Sequence, residues 1–138
     1  MAIIEKIYFK KDDIWNQKKQ IDLHACELKE GKRNVSFITS EGNNRLINDR
    51  IRGFCHMKFK ANFVVDGIDV DNLTVGELLQ IGDAVIKITE IGKECYIDCP
   101  IIKKFNTLCA VNEQIFFGEV LEAGIVKEKD SITFLPLL

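Results

Sequence analysis

The sequence lacks any apolar run close to the roughly 18 residues that a membrane-spanning helix requires, and its N-terminus lacks the charged-then-apolar layout of a signal peptide. It also lacks a strong net charge, because 19 Lys and Arg residues against 21 Asp and Glu residues give a formal charge of -2. A chain with this balance has no general attraction for polyanions. We therefore expect a cytoplasmic protein with neither a nucleic acid nor a membrane as its partner.

Internal repeats, low-complexity tracts and linkers are also absent from the 138 residues. A chain of this length can bury a hydrophobic core without a metal or disulfide staple. Five cysteines, an odd number, occur without a secretion signal. A reducing cytoplasm keeps such cysteines as thiols, which makes each a candidate for packing, metal binding or sulfur chemistry. We predict a single domain over residues 1–138.

Short segments rich in β-branched and aromatic residues dominate the chain and are separated by Gly and Asp turns. Strands are predicted at residues 2–9, 33–39, 59–65, 115–121 and 131–135, with two more apolar runs divided at residues 82–83. Residues 40–44 are predicted to form a loop, followed by at most a short helix around residues 46–51. Many short strands without repeated βα alternation favour a mainly β fold with a closed or strongly curved sheet.

A cluster of basic residues follows the predicted loop, and only Asp49 opposes it locally. Its members are Arg45, Arg50, Arg52, Lys58 and Lys60, with His56 among them. Guanidinium and ammonium groups hold phosphate through charge-assisted hydrogen bonds. The cluster is a candidate site for a phosphate-bearing ligand, with a solvated face balanced by acidic residues elsewhere as the alternative.

Residues 92–95, Gly-Lys-Glu-Cys, follow a strand-like run and bring a cysteine to the point where the chain leaves regular structure. The thiolate is the reactive form of cysteine, and the ammonium of Lys93 would favour it, since residues two apart share a face of a strand. A buried, inert Cys95 is the alternative. Cys99 and Cys109 could resolve a persulfide or bind a metal with Cys95, although the spacing is not a standard zinc pattern.

In this order the motifs resemble the MOSC domain, a β-barrel module related to the C-terminal domain of molybdenum cofactor sulfurases. The likeness covers about residues 59–135 and includes Asn62 and the Gly-Lys-Glu-Cys element. Residues 33–36, Arg-Asn-Val-Ser, resemble the family's Arg-Gln-Val-Ser strand, and Asp22 with His24 resembles its Asp-x-His segment. From the residues alone, the pair Asp22 and His24 favours a structural hydrogen bond, with a proton relay or half of a metal site as the alternatives.

The resemblance implies a MOSC-like β-barrel with a few short helices that binds a pterin-type molybdenum cofactor (molybdopterin with its metal) and carries sulfur as a persulfide on Cys95. Cofactor-binding residues implied in this way, or by the basic cluster, are His24, Arg33, Arg50, Arg52, Lys58, Asn62 and Lys93. Cys99 and Cys109 are candidate resolving thiols, and no separate metal site is predicted.

The implied activity is that of a sulfurtransferase, which needs protein partners. Because the sequence has no pyridoxal-phosphate lysine context, sulfur would come from a cysteine desulfurase or another donor and pass to a molybdoenzyme or cofactor-biosynthesis protein. Two alternatives are a non-catalytic molybdopterin-binding or cofactor-delivery module and a cysteine-based metal-binding domain.

Overall fold

Ten β-strands and one α-helix account for most of the described part of this computed structural model, which comprises residues 2–12, 14–23, 34–48, 60–92 and 113–135. The elements are β1 (Ile3–Lys11), β2 (Ile14–Lys18), β3 (Gln20–Asp22), β4 (Val35–Thr39), α1 (Ser40–Asn48), β5 (Phe63–Asp66), a 3-10 turn (Val70–Asn72), β6 (Leu78–Ile81), β7 (Ala84–Ile91), β8 (Ile115–Glu122), β9 (Ile125–Lys127) and β10 (Ile132–Leu135). The predicted mainly β fold is confirmed. No helix among these residues is long and apolar enough to cross a membrane.

Eight of the strands form one sheet in the order β10-β6-β7-β8-β4-β5-β1-β2, and β3 pairs with β9 in a second, two-stranded sheet. Strands β4 and β5 are parallel neighbours, whereas the other pairs are antiparallel. Parallel neighbours cannot be joined by a tight hairpin, so the chain must cross over between them. Helix α1 lies on this crossover, directly after β4.

The two ends of the large sheet approach each other at the start of β1. An isolated antiparallel bridge joins Ile3 to Ser131. Backbone hydrogen bonds from Ile4 N to Asp130 O and from Ile132 N to Ala2 O, both 2.9 Å, flank this bridge. Among the described residues the strand pairing nevertheless does not close the sheet into a barrel. The barrel therefore stays a prediction, as does the single domain over residues 1–138.

The core lies on the inner face of the large sheet, where alternate residues of each strand point. Three phenylalanines from adjacent strands stack at its centre: the ring centroid of Phe37 lies 5.2 Å from that of Phe63 and 4.6 Å from that of Phe116. In β7, Ile86 and Ile88 are fully buried and Lys87 between them is exposed, which matches the predicted alternation. These contacts set the register of β7 and β8, the two strands that flank residues 93–112.

A second buried surface lies on the outer face of the three middle strands. Val64, Ile38 and Ile115 are register partners across β5, β4 and β8, and each is at most 1% exposed. Helix α1 packs here, since a Cβ atom added at Gly42 would lie 2.9 Å from Ile38 Cγ1. The middle of the sheet is thus buried on both faces.

The predicted loop at residues 40–44 is wrong, because these residues form the first half of α1. Thr39 caps the helix: its Oγ1 accepts a hydrogen bond from the amide of Gly42 at 3.1 Å. The Ser-Glu-Gly-Asn-Asn sequence favours a turn when taken locally. The cap and the packing of Gly42 on Ile38 outweigh that preference.

Candidate functional site

The strand-like run ahead of Cys95 is β7. Its C-terminal end lies beside the start of β8, at one end of the strands. Gly92 has a φ of 80°, in the left-handed region that favours glycine, and its amide donates a hydrogen bond to Ile115 O at 2.7 Å. Ile91 just before it pairs with Phe116. The chain therefore departs for residues 93–112 and returns from them at neighbouring points.

A partly buried side-chain hydrogen bond links this end of the strands to α1. Thr39, at the end of β4, is 5% exposed, and its Oγ1 donates to Gln114 Oε1 at 2.7 Å. Gln114 directly precedes Ile115. We use the term clasp for the Thr39–Gln114 hydrogen bond together with the Gly92–Ile115 hydrogen bond. The clasp connects both ends of residues 93–112 to the first turn of α1.

The start of α1 is also tied to the other half of the sheet. Ser40 Oγ donates to Glu5 Oε2 at 2.6 Å and lies 3.3 Å from Val65 O. These contacts involve β1 and β5, at the end of the sheet's strands where β4 finishes. Arg45, the first member of the basic cluster, is exposed in the last turn of α1. The helix therefore leads from the clasp to the beginning of the cluster.

Asn62 is the predicted cofactor-binding residue that the structure describes, and its hydrogen bonds join β1, β4 and β5. Its Oδ1 accepts from Ser36 N at 3.0 Å and Ser36 Oγ at 3.1 Å, while its Nδ2 donates to Tyr8 O at 3.3 Å. The backbone adds a hydrogen bond from Tyr8 N to Asn62 O at 2.7 Å. These contacts give Asn62 a structural role, and its contact with a cofactor stays a prediction.

The other predicted site residues lie outside the described residues. They are His24, Arg33, Arg50, Arg52, Lys58, Lys93, Cys95, Cys99 and Cys109. Within the part of the chain that the structure describes, no three His, Cys, Asp or Glu side chains are grouped so that they could hold a metal ion. Every buried side-chain nitrogen or oxygen in that part also has a hydrogen-bond partner.

The attachment points of Arg33 and Cys95 can still be compared. Arg33 precedes Asn34, whose Oδ1 accepts from Val120 N at 2.9 Å. From the pairing of β4, β8 and β7, Asn34 lies two strands from Gly92 and about four residues along the strand direction, or roughly 16 Å away on a flat sheet. Cys95 lies within roughly 10 Å of Gly92 by chain length. This topology permits a shared site for Arg33 and Cys95 but does not by itself bring them together.

The sequence analysis missed Thr39 and Gln114, the two side chains whose hydrogen bond joins the start of β8 to α1. A signal for Thr39 was present, because Thr followed by Ser and Glu is typical of a helix N-cap with an acidic first turn. Gln114 carries no comparable local signal. Its partner lies 75 residues away in the sequence.

Comparison with known proteins identifies the class of domain. The sequence profile of the MOSC domain matches residues 27–133, most of the chain. The chain therefore belongs to the MOSC domain family, as the resemblance predicted, and this family is associated with molybdenum cofactor binding. A search of curated proteins finds no match.

Solved structures show the same fold. YiiM from Geobacillus stearothermophilus has a TM-score of 0.68 at 14% identity, covering 99% of this chain and 76% of that one. YiiM from Escherichia coli has a TM-score of 0.63 at 16% identity, covering 100% of this chain and 71% of that one. The YUAD protein from Bacillus subtilis has a TM-score of 0.60 at 17% identity, with coverages of 95% and 93%. At these identities the likeness concerns the fold alone.

Proposed function

We propose that this protein is a cytoplasmic sulfur carrier that binds a pterin-type molybdenum cofactor and holds sulfur as a persulfide on Cys95. Membership of the MOSC domain family supports the cofactor class. The observation that carries the choice of cysteine is the end of β7, where Gly92 turns the chain out of the sheet while its amide stays bonded to Ile115. Cys95 follows three residues later in the sequence.

The chemistry assigned to Cys95 is a thiol–persulfide exchange. The Cys95 thiolate attacks the outer sulfur of a persulfide on the donor protein. A new sulfur–sulfur bond forms on Cys95 as the donor's bond breaks, and the donor cysteine leaves as a thiolate. Electrons balance without an added oxidant or reductant. The ammonium of Lys93 supports this role because a nearby positive charge favours the thiolate.

The basic cluster has the donor chemistry that a phosphate-bearing cofactor requires. Its two described members, Arg45 and Lys60, are both exposed, and Lys60 Nζ lies 4.0 Å from the centroid of the Tyr8 ring. The cluster therefore begins and ends at the protein surface. Within this proposal the phosphate is held by the cations at positions 33, 50, 52 and 58, with His24, Asn62 and Lys93 as further contacts.

When bound, the cofactor supplies a metal centre that can accept sulfur. The protein's own residues hold its phosphate and keep the Cys95 sulfur reactive. A cysteine desulfurase or an equivalent donor provides the sulfur, and a molybdoenzyme or a cofactor-biosynthesis protein is the recipient. The proposal includes a MOSC-like barrel, supported by the approach of the sheet ends at the Ile3–Ser131 bridge.

Two assays on the same preparations test this function. Reduced protein is incubated with a cysteine desulfurase and cysteine, and peptides are analysed by mass spectrometry without reductant. Molybdopterin binding is measured separately from the fluorescence of its oxidised pterin. We expect one added sulfur on Cys95 and none at that position in Cys95→Ser. Cys26 and Cys55, the two cysteines to which the sequence assigns only a structural role, serve as controls, and Cys26→Ser and Cys55→Ser should load like the parent protein.

The outcome also separates the alternatives. Pterin binding that persists in Cys95→Ser, with no sulfur on Cys95 in the parent protein, would identify a cofactor-delivery module. Sulfur on another cysteine but not on Cys95 would refute the assignment. Zinc or iron bound to anaerobically purified protein and lost in Cys95→Ser would identify the metal-binding alternative.

A further inference from the structure

The hairpin of β1 and β2 carries two aromatic side chains on its outer face. Tyr8 and Lys10 alternate with Ile7, which is fully buried, so their side chains point away from the core. Across the hairpin Tyr8 pairs with Gln17 and Lys10 pairs with Trp15. The Cβ atoms of directly opposite residues in an antiparallel pair lie about 5 Å apart. These four side chains therefore form one compact group.

An ammonium group lies beside each of the two rings. Lys60 Nζ is 4.0 Å from the centroid of the Tyr8 ring, and Lys10 Nζ is 6.0 Å from the centroid of the Trp15 ring. Lys10, Gln17 and Lys60 are exposed, and the two aromatic residues are half-buried. We use the term ring–lysine face for these five side chains. A partner can reach both ammonium groups from solvent.

The position of Tyr8 in this face is fixed by Asn62. Tyr8 N donates to Asn62 O at 2.7 Å, and Asn62 Nδ2 donates to Tyr8 O at 3.3 Å. Asn62 is itself held by Ser36 N, which donates to its Oδ1 at 3.0 Å. Lys60 lies two residues before Asn62 on the same segment. A surface that is ordered before binding loses less conformational freedom when a partner arrives.

The described charges around the ring–lysine face are mainly positive. Lys6, half-buried, lies two residues before Tyr8 and shares its face of β1. The acidic residues among the described part of the hairpin are Glu5 and Asp12. Glu5 Oε2 already accepts from Ser40 Oγ at 2.6 Å, and Asp12 lies in the turn after β1. The face would repel a second copy of itself and attract carboxylates.

The spacing of the lysines on β1 fits an extended partner chain. Lys6, Tyr8 and Lys10 follow one another at every second residue, a repeat of roughly 7 Å. Alternate side chains of another extended chain have the same repeat. We infer that the ring–lysine face docks an extended acidic segment of a partner protein, with its carboxylates on Lys10 and Lys60 and its chain against the two rings. The inference does not depend on sulfur transfer by Cys95.

Trp15 is the single tryptophan of the chain, so its fluorescence reports on this face alone. The probe is a short synthetic peptide of alternating glutamate and threonine residues, titrated into the full chain. The control peptide has glutamine in place of every glutamate. We expect a saturable change in Trp15 emission with the acidic peptide, weakening as salt is added, and no change with the control peptide.

Variants of the protein test which side chains bind the peptide. Lys10→Gln and Lys60→Gln should each weaken binding by roughly two- to fivefold, the range for an exposed ion pair. Tyr8→Leu should weaken binding because the ring is lost, whereas Tyr8→Phe should bind like the parent protein. Lys87→Gln is the matched control, since it removes the same charge from an exposed position of β7 and should leave binding unchanged.

Three results would overturn the inference. The first is the absence of saturable binding of the acidic peptide to the parent protein. The second is an equal loss of binding in Lys87→Gln, because the peptide would then respond to net charge and not to this face. The third is tighter binding of a single-stranded oligothymidine than of the acidic peptide, which would assign the rings and lysines to nucleic acid.

Discussion

Replacing Gly92 with alanine tests whether the left-handed turn after β7 presents Cys95. The residue has a φ of 80°, a conformation that costs a residue with a Cβ atom about 1–2 kcal/mol. Alanine also restricts the unfolded chain, which returns about 0.4–1 kcal/mol at a compatible site. The amide hydrogen bond to Ile115 remains possible. We therefore expect Gly92→Ala to lower the free energy of unfolding by about 1 kcal/mol.

A matched control exists at Gly76. It has a φ of 99°, and its amide donates to Ile88 O at 2.7 Å, as the amide of Gly92 donates to Ile115 O. A Cβ atom at Gly76 would meet nothing within 4 Å, so Gly76→Ala tests the backbone conformation without a steric clash. Gly92→Asn is a second control, because asparagine tolerates the left-handed region better than alanine.

The assay combines urea denaturation with the initial rate of sulfur loading on Cys95. For a chain of 138 residues, a loss of 1 kcal/mol also lowers the melting temperature by roughly 3–5 °C. Gly92→Ala and Gly76→Ala should lose similar stability, whereas only Gly92→Ala should slow sulfur loading. A Gly92→Ala variant as stable as the parent protein, or a Gly76→Ala variant that slows sulfur loading equally, would contradict this prediction.

Further predictions concern the sheet that carries the site. Gly118→Ala should cost about 1–3 kcal/mol, because its Cβ would lie 2.5 Å from Ile86 Cγ2; urea denaturation of the double variant with Ile86→Ala should show less than the sum of the two losses. Asn62→Ala should cost about 1–3 kcal/mol, since it leaves Ser36 N without its acceptor; a stability equal to that of the parent protein would contradict the structural role. Phe37→Ala should cost about 3–5 kcal/mol by the same measurement, because its ring stacks at the centre of the core.

The strands that flank the site could be predicted because their patterns are local. The alternation around Lys87 identified β7, and Gly82 marked the turn before it. Helix α1 could not be predicted in the same way. Its first residues favour turns, and the contacts that make them helical, the Thr39 cap and the packing of Gly42, depend on the tertiary structure.

The candidate site was also predictable only where its signals are local in the sequence. The resemblance to the MOSC domain pointed to the Gly-Lys-Glu-Cys element, and the structure shows that β7 ends at Ile91, directly before the glycine of that element. The Thr39–Gln114 bond joins residues 75 apart, and no sequence pattern links them. The cofactor contact predicted for Asn62 stays a prediction, and the hydrogen bonds of Asn62 to Ser36 and Tyr8 were not predicted.

The most direct test of sulfur carriage follows isotopically labelled sulfur from cysteine, through a desulfurase, to individual cysteines of this protein. Peptides are resolved by mass spectrometry after a single turnover, before sulfur can redistribute among the thiols. We expect label to be found first on Cys95 and then to be discharged to an acceptor thiol or cofactor. Label found first on any other cysteine, with Cys95 unlabelled, would contradict it.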